Sequence, residues 1–321
     1  MSTYLPIAGL MDFGTTIAEY LLRGLAFLVA YLPAPVAKAF EYQFMIRALL
    51  TAVIVGAVCG VLSCYVVLKR WALLGDAISH AVLPGVAIAY LLGWPMLIGA
   101  FISGGLTALG IGFIQQNTRI KEDSAMGIMF TAAFALGIVI ISRIATSTHL
   151  MHILFGNVLG VSMSVLVTTL YSGILALLLV LFFYKQFLLY TFDPTHASAI
   201  GMRTRAIHYG LMLLLTLTIV TSLETVGVIL VVAMLIIPGA TASLLTHRLP
   251  TMMLISAGVG VASATIGLYT SFRLDVASGG MIVLVAFALF VLAGLAAPVG
   301  PIRQSLRRRV RAGHRNGKNA E

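Results

Sequence analysis

Asp76 and His80 stand four residues apart in the run Gly75 to Pro84, GDAISHAVLP, inside sequence apolar enough to lie in a membrane. At that spacing the two side chains share one face of a helix. An ionisable group within a spanning segment costs about 3 kcal/mol or more unless it faces a polar cavity, a partner or a bound ion. The pair offers one oxygen and one nitrogen donor, a set that suits manganese, zinc or ferrous iron. The alternative is structural: the two groups satisfy each other, or Asp76 caps the apolar run that follows it.

Three further residues carry donor chemistry. His149 and His152 are spaced i,i+3 and could receive an ion or simply lie at an interface, with no carboxylate close in sequence. Glu224 falls between two apolar runs, where it either lines an entrance or is solvated. Cys59 and Cys64 lie five apart in one apolar stretch, a spacing along a helix with poor disulfide geometry, and read as small buried residues. A closed thiolate-rich zinc site has no ligands here.

The elements that position these residues follow from composition. Of 321 residues, 60% are hydrophobic and 9% charged, with a mean hydropathy of +1.06. Soluble domains carry roughly 25% charged residues, so the chain reads as all-α, a polytopic bundle of membrane helices. Windows of about 20 residues, the length that crosses about 30 Å of hydrocarbon, divide it into runs at 46–68, 76–92, 95–115, 125–144, 164–184, 207–223, 225–246, 251–272 and 279–298. That is eight or nine spans. Residues 15–40 add an apolar run broken by Glu19, Arg23, Pro33, Pro35 and Lys38, either an interfacial helix or one more span. Three parts result: an N-terminal segment over 1–43, a membrane domain over 44–300 and a basic tail over 301–321. No removable signal peptide is expected from the N-terminal pattern.

The formal charge of +10 does not indicate nucleic acid. Seven of the 20 basic residues lie in the tail, from Arg303 to Lys318, and a basic tail after a span marks a cytoplasmic end, with anionic lipid as the available partner. Alternating backwards places Lys69 and Arg70, Arg119 and Lys121, Lys185, Arg203 and Arg205, and Arg248 on the same inward side. The outward connections then carry only Arg273 between Gly93, 145–163 and Asp275.

The longest inward segment, 184–208, contains Asp193 and Pro194, a helix-entry signal, followed by Ala199 and Gly201. A short helix ending near Gly201 could transmit a partner's movement. No G-x-x-x-x-G-K-[ST] run occurs in the chain, so it is no ATPase, and any ATP-derived energy must come from another subunit. Small residues in LPGVA (83–87), ISGGLTALGIG (102–112) and IIPGATA (236–242) permit close helix crossing or broken helices beside a cavity.

The string LKRWALLGDAISHAVLPGVAIAYLLG (68–93) resembles the membrane permeases of the manganese, zinc and iron family of ATP-binding-cassette importers. HILFGNVLGVS (152–162) is similar to the family's outward segment. FDPTHASAIGM (192–202) resembles its cytoplasmic coupling segment, and TVGVILVVAMLIIPGATA (225–242) its late span. The resemblance implies ATP-driven uptake of a divalent metal, manganese first and zinc or ferrous iron next, across a bacterial cytoplasmic membrane. It also implies a second copy of the chain, cytoplasmic ATPase subunits and an extracytoplasmic metal-binding protein. The family's acidic and histidine pathway pair carries over to Asp76 and His80, and its ATPase coupling segment to Asp193, Pro194, Ala199 and Gly201. No prosthetic group is implied, the metal being cargo. A secondary metal/proton antiporter using Asp76 and His80 as a relay is the competing function; it needs no ATPase partner.

Overall fold

The computed structural model describes residues 5–30, 40, 42–143 and 158–296, and every regular element among them is helical. In lipid a helix satisfies each backbone group within its own segment, so a chain this apolar has little other choice. The helices are α1 (Leu5–Ala30), α2 (Gln43–Leu68), α3 (Ala72–Leu92), α4 (Met96–Asn117), α5 (Glu122–Ile141), α6 (Met163–Phe182), α7 (Tyr184–Phe192), α8 (Pro194–Ala199), α9 (Thr204–Leu245), α10 (Leu249–Leu274) and α11 (Ser278–Ala296). Eight helices among the described residues are long and apolar enough to cross a membrane: α2 to α6 and α9 to α11.

Polar punctuation sets the ends. Gly93 closes α3 in the left-handed conformation at φ 67°, with Trp94 N–H reaching back to Ala89 O at 2.9 Å, and Pro95 starts α4. Glu122 and Asp123 occupy the first turn of α5, where carboxylates complement the helix dipole. Ser162 caps α6 by accepting from Val165 N–H.

The 42 residues of α9 would span about 63 Å if straight, twice a bilayer core. They break at Gly227, whose φ of 79° and ψ of 168° leave the helical region. The two legs then run in opposite senses along common neighbours. On the first leg His208 meets Trp71, just past the end of α2, and Ser222 stands beside Cys59 in its interior. On the second leg Gly239 N–H donates to Ser63 Oγ at 2.8 Å, closer again to the end of α2, and Leu244 approaches Gly294 near the end of α11. The helix therefore turns back and makes two passes, as the two sequence runs required, with the break at Gly227 instead of near Glu224.

The core sits where α2 packs between α9 and α10. Gly56 faces Gly260, and Ser256 Oγ donates to Gly60 O, so two backbones meet with no side chain between them. Gly85 and Gly99 do the same for α3 and α4: a Cβ on either would strike the other's carbonyl oxygen. Of the small-residue runs, 83–87 thus serves packing through Gly85 and 236–242 through Gly239 against Ser63, and Pro84 and Pro238 lie inside helices that continue past them.

Alternation of the passes gives the bundle a Trp71 end, which also holds Thr118, α8 and Arg248, and a Gly227 end, which holds Gly93 and Asp275. At the N-terminus α1 lies along α6 and α2, with Gly14 against Val167 and Tyr171, and Ala18 clustered with Leu50 and Leu166.

Candidate metal site

Asp76 and His80 occur on the second and third turns of α3, about 6 and 12 Å along its axis of about 31 Å, which puts His80 near mid-membrane. The helix starts at Ala72 with Trp71 at its N-cap, so Asp76 is an interior residue and the capping alternative is wrong: the helix begins a full turn earlier than the apolar run does. His80 Nε2 lies 3.4 Å from Asp76 Oδ1. The two lie within ion-pair reach, at a separation longer than the about 2.7–2.9 Å of a charge-assisted hydrogen bond. Two donors each about 2.1 Å from one ion stand roughly 3.0–3.4 Å apart at the angles of octahedral and tetrahedral sites, which is the spacing found.

The surroundings strengthen this. His80 is 30% exposed and Asp76 47%, so the pair opens off the monomer surface. The imidazole is walled by Phe130 and Phe134 of α5, each with its ring centre 5.4 Å away. Its Nδ1 is buried with no hydrogen-bond partner, an orphan at mid-membrane depth. Among the described residues no group of three or more His, Cys, Asp or Glu comes together. Among the described residues, Asp76 and His80 are thus the two donors that meet on this face of α3.

The other candidates disperse. Glu224 is exposed near the Gly227 turn. Thr216 lies at the level of Ile78, since both approach Gly104, so Glu224 stands about 12 Å farther along its helix from the Asp76 and His80 turns. His149 and His152 lie outside the described residues, as does the basic tail.

At the Trp71 end the expected short helix is present as α8. Asp193 Oδ1 accepts from His196 N–H at 2.8 Å, Pro194 takes the first helical position, and Ala199 is its last residue. Gly201 follows at φ 82°, while Met202 N–H returns to Ala197 O at 3.0 Å, a glycine-terminated stop. Only Ala197 of this helix is buried; Phe192 and Ile200 beside it are more than half exposed.

Five residues that the sequence leaves as topology markers or as unremarked form a polar knot beneath α3. Tyr190 Oη is 2.6 Å from His208 Nδ1, and Trp71 packs edge-on to the same imidazole. Trp71 Nε1 donates to Glu122 Oε2 at 3.1 Å. Lys69 Nζ donates to Tyr190 O at 3.1 Å and stands over its ring. Burial pulls the Lys69 ammonium below its usual range against the opposing pull of Glu122, and burial pushes the Tyr190 phenol up. His208 is buried and bonded at this end of the bundle. The knot ties α7, which leads into α8, to the turn from which α3 carries Asp76.

A polytopic bundle with eight helices long and apolar enough to cross a membrane is the architecture of an integral membrane protein. The chain belongs to the ABC 3 transport family, whose profile matches residues 41–297. It is 56% identical over 262 residues to the manganese transport system membrane protein MntC of Halalkalibacterium halodurans, covering 81% of this chain and 90% of that one. It is 48% identical over 268 residues to the chelated iron transport system membrane protein YfeD of Yersinia pestis, covering 84% and 90%. Among solved structures it superposes on a chain of PsaBC from Streptococcus pneumoniae in complex with Fab, with a TM-score of 0.73 and 42% identity over 84% of this chain and 96% of that one.

Proposed function

We propose that this chain is the permease subunit of an ATP-driven importer of a divalent transition metal, manganese first, and that Asp76 and His80 bind the ion in transit. The observation that carries the reading is the pair itself: donors at ion-sharing distance in a membrane helix, with Nδ1 of the imidazole left without a partner. Relatives named for manganese and for iron transport support the cargo class.

Two donors are too few to strip a hydrated ion, and a transport site must also release it. A second copy facing the first across α5, one of the least buried helices of the monomer, would bring two more. Leu136, Ile138 and Val139 expose their apolar side chains on that helix for such a contact. The Trp71 end faces the cytoplasm of a bacterial inner membrane, where α8 docks on a separate ATPase subunit; the Gly227 end receives the ion from an extracytoplasmic binding protein. A secondary antiporter would leave α8 without a purpose.

Reconstitution into liposomes with the ATPase and the binding protein tests this. Asp76→Asn and His80→Gln keep approximate size and hydrogen-bonding capacity while removing a charge and an imidazole. Each is expected to cut ATP-dependent manganese uptake by about tenfold or more, roughly 1.4 kcal/mol in the barrier, with ATPase association unchanged. Uptake at wild-type rate by both variants overturns the site, and uptake without ATP overturns the class. Competition by zinc and ferrous iron ranks the cargo.

A further inference from the structure

Helix α1 precedes the residues that match the family, and it builds a groove that the transport domain alone lacks. Glu19, Leu22, Arg23 and Ala26 recur on one face of α1, and Gln43, Ile46 and Arg47 on one face at the start of α2. Between them lies a cavity of about 400 Å³, within the size range of small-ligand sites. Glu19, Arg23 and Gln43 are exposed and Arg47 is half-buried; none of the charged three takes part in an ion pair among the described residues.

The depth of the groove says what surrounds it. Tyr42 and Phe44 are exposed at the same end of α2, and Tyr42 packs against Phe272 of α10 with ring centres 6.2 Å apart. Exposed aromatics clustered at helix ends mark the membrane interface. Arg47 lies one turn deeper, and Arg23 lies seven residues before the end of α1. Guanidinium groups at that level need an anion, and among the described lining residues Glu19 is the one carboxylate.

We propose that the groove binds a phosphoethanolamine phospholipid of the adjacent leaflet. The phosphate sits between Arg23 and Arg47, whose planar forks suit its oxygens. The ammonium meets Glu19, and the acyl chains leave along Leu22, Ala26 and Ile46. A headgroup with both signs matches a lining with both signs, which a purely anionic headgroup does not. The bound lipid fastens α1 to the transport domain.

Native mass spectrometry of the full chain in mild detergent, titrated separately with phosphatidylethanolamine and phosphatidylglycerol, tests the assignment. Wild type should retain phosphatidylethanolamine in preference, and R23Q/R47Q should weaken its binding by about tenfold or more, the equivalent of one charge-assisted contact. E19Q should erase the preference by weakening phosphatidylethanolamine alone. If R23Q/R47Q does not fold, as judged by its melting curve, R23K/R47K keeps both charges, loses the fork geometry and should still bind several-fold more weakly. Unchanged phosphatidylethanolamine binding in the folded arginine variants overturns the proposal, as does equal binding of the two lipids by wild type. Loss of binding-protein association with lipid binding intact also overturns it, in favour of a protein contact.

Discussion

The distance between Asp76 Oδ1 and His80 Nε2 makes the pair sensitive to reach as well as to charge. Asp76→Glu keeps the carboxylate but adds one methylene, which carries the oxygen past the position from which it shares an ion with Nε2. Uptake should fall by about tenfold, roughly 1.4 kcal/mol, although charge is conserved; full uptake in a liposome assay would show that charge alone matters. Tyr190→Phe tests the knot below. It removes the one partner of His208 Nδ1 in a buried setting, a loss of about 1–3 kcal/mol, so the detergent-solubilised protein should melt measurably lower while manganese binding to the isolated permease persists. The first pair was legible because four residues apart on a helix means one face. The second was not: Tyr190 and His208 are 18 apart and Trp71 and Glu122 are 51 apart, separations at which no periodicity speaks.

At the scale of elements, apolar runs of span length located the membrane helices well, since lipid leaves few other structures open to them. Their ends were less visible. Helix α3 extends back to Ala72 through residues that carry no start signal, and the turn at Gly227 has no proline beside it to announce it, while the hydroxyls of Thr221 and Thr225 bond carbonyls of their own helix. Helix α8 is the reverse case: Asp193, Pro194 and Gly201 announce both its ends. Asp193→Ala removes the cap for about 1 kcal/mol, and Gly201→Val forces a β-branched residue to φ 82° for roughly 1–2 kcal/mol more. Together they should weaken co-purification of the ATPase by about tenfold without lowering membrane yield. Wild-type co-purification would remove α8 from the interface.

At the scale of the whole molecule, the Lys and Arg asymmetry and the packing of the passes lead to the same grouping of the turns by separate routes. The charge bias groups Lys69, Arg119, Lys185, Arg203 and Arg248 on one side. The contacts independently gather the first four of these turns at the Trp71 end, through Lys69 on Tyr190 and Trp71 on Glu122 and His208, and the return of α9 past Ser63 brings Arg248 to the same end. The second pass of α9 reverses everything after it; without that turn, α10 and α11 would be inverted and Arg248 would fall on the side that the charge bias forbids. Cysteine labelling in intact cells reads this directly. Cys59 and Cys64 are buried and are replaced by alanine first. Thr118→Cys, exposed between α4 and α5, should resist a membrane-impermeant maleimide until the cells are opened, whereas Val276→Cys, 47% exposed between α10 and α11, should react at once. Reaction of both from outside would mean that α9 crosses once, because the passes between the two sites would then be even in number.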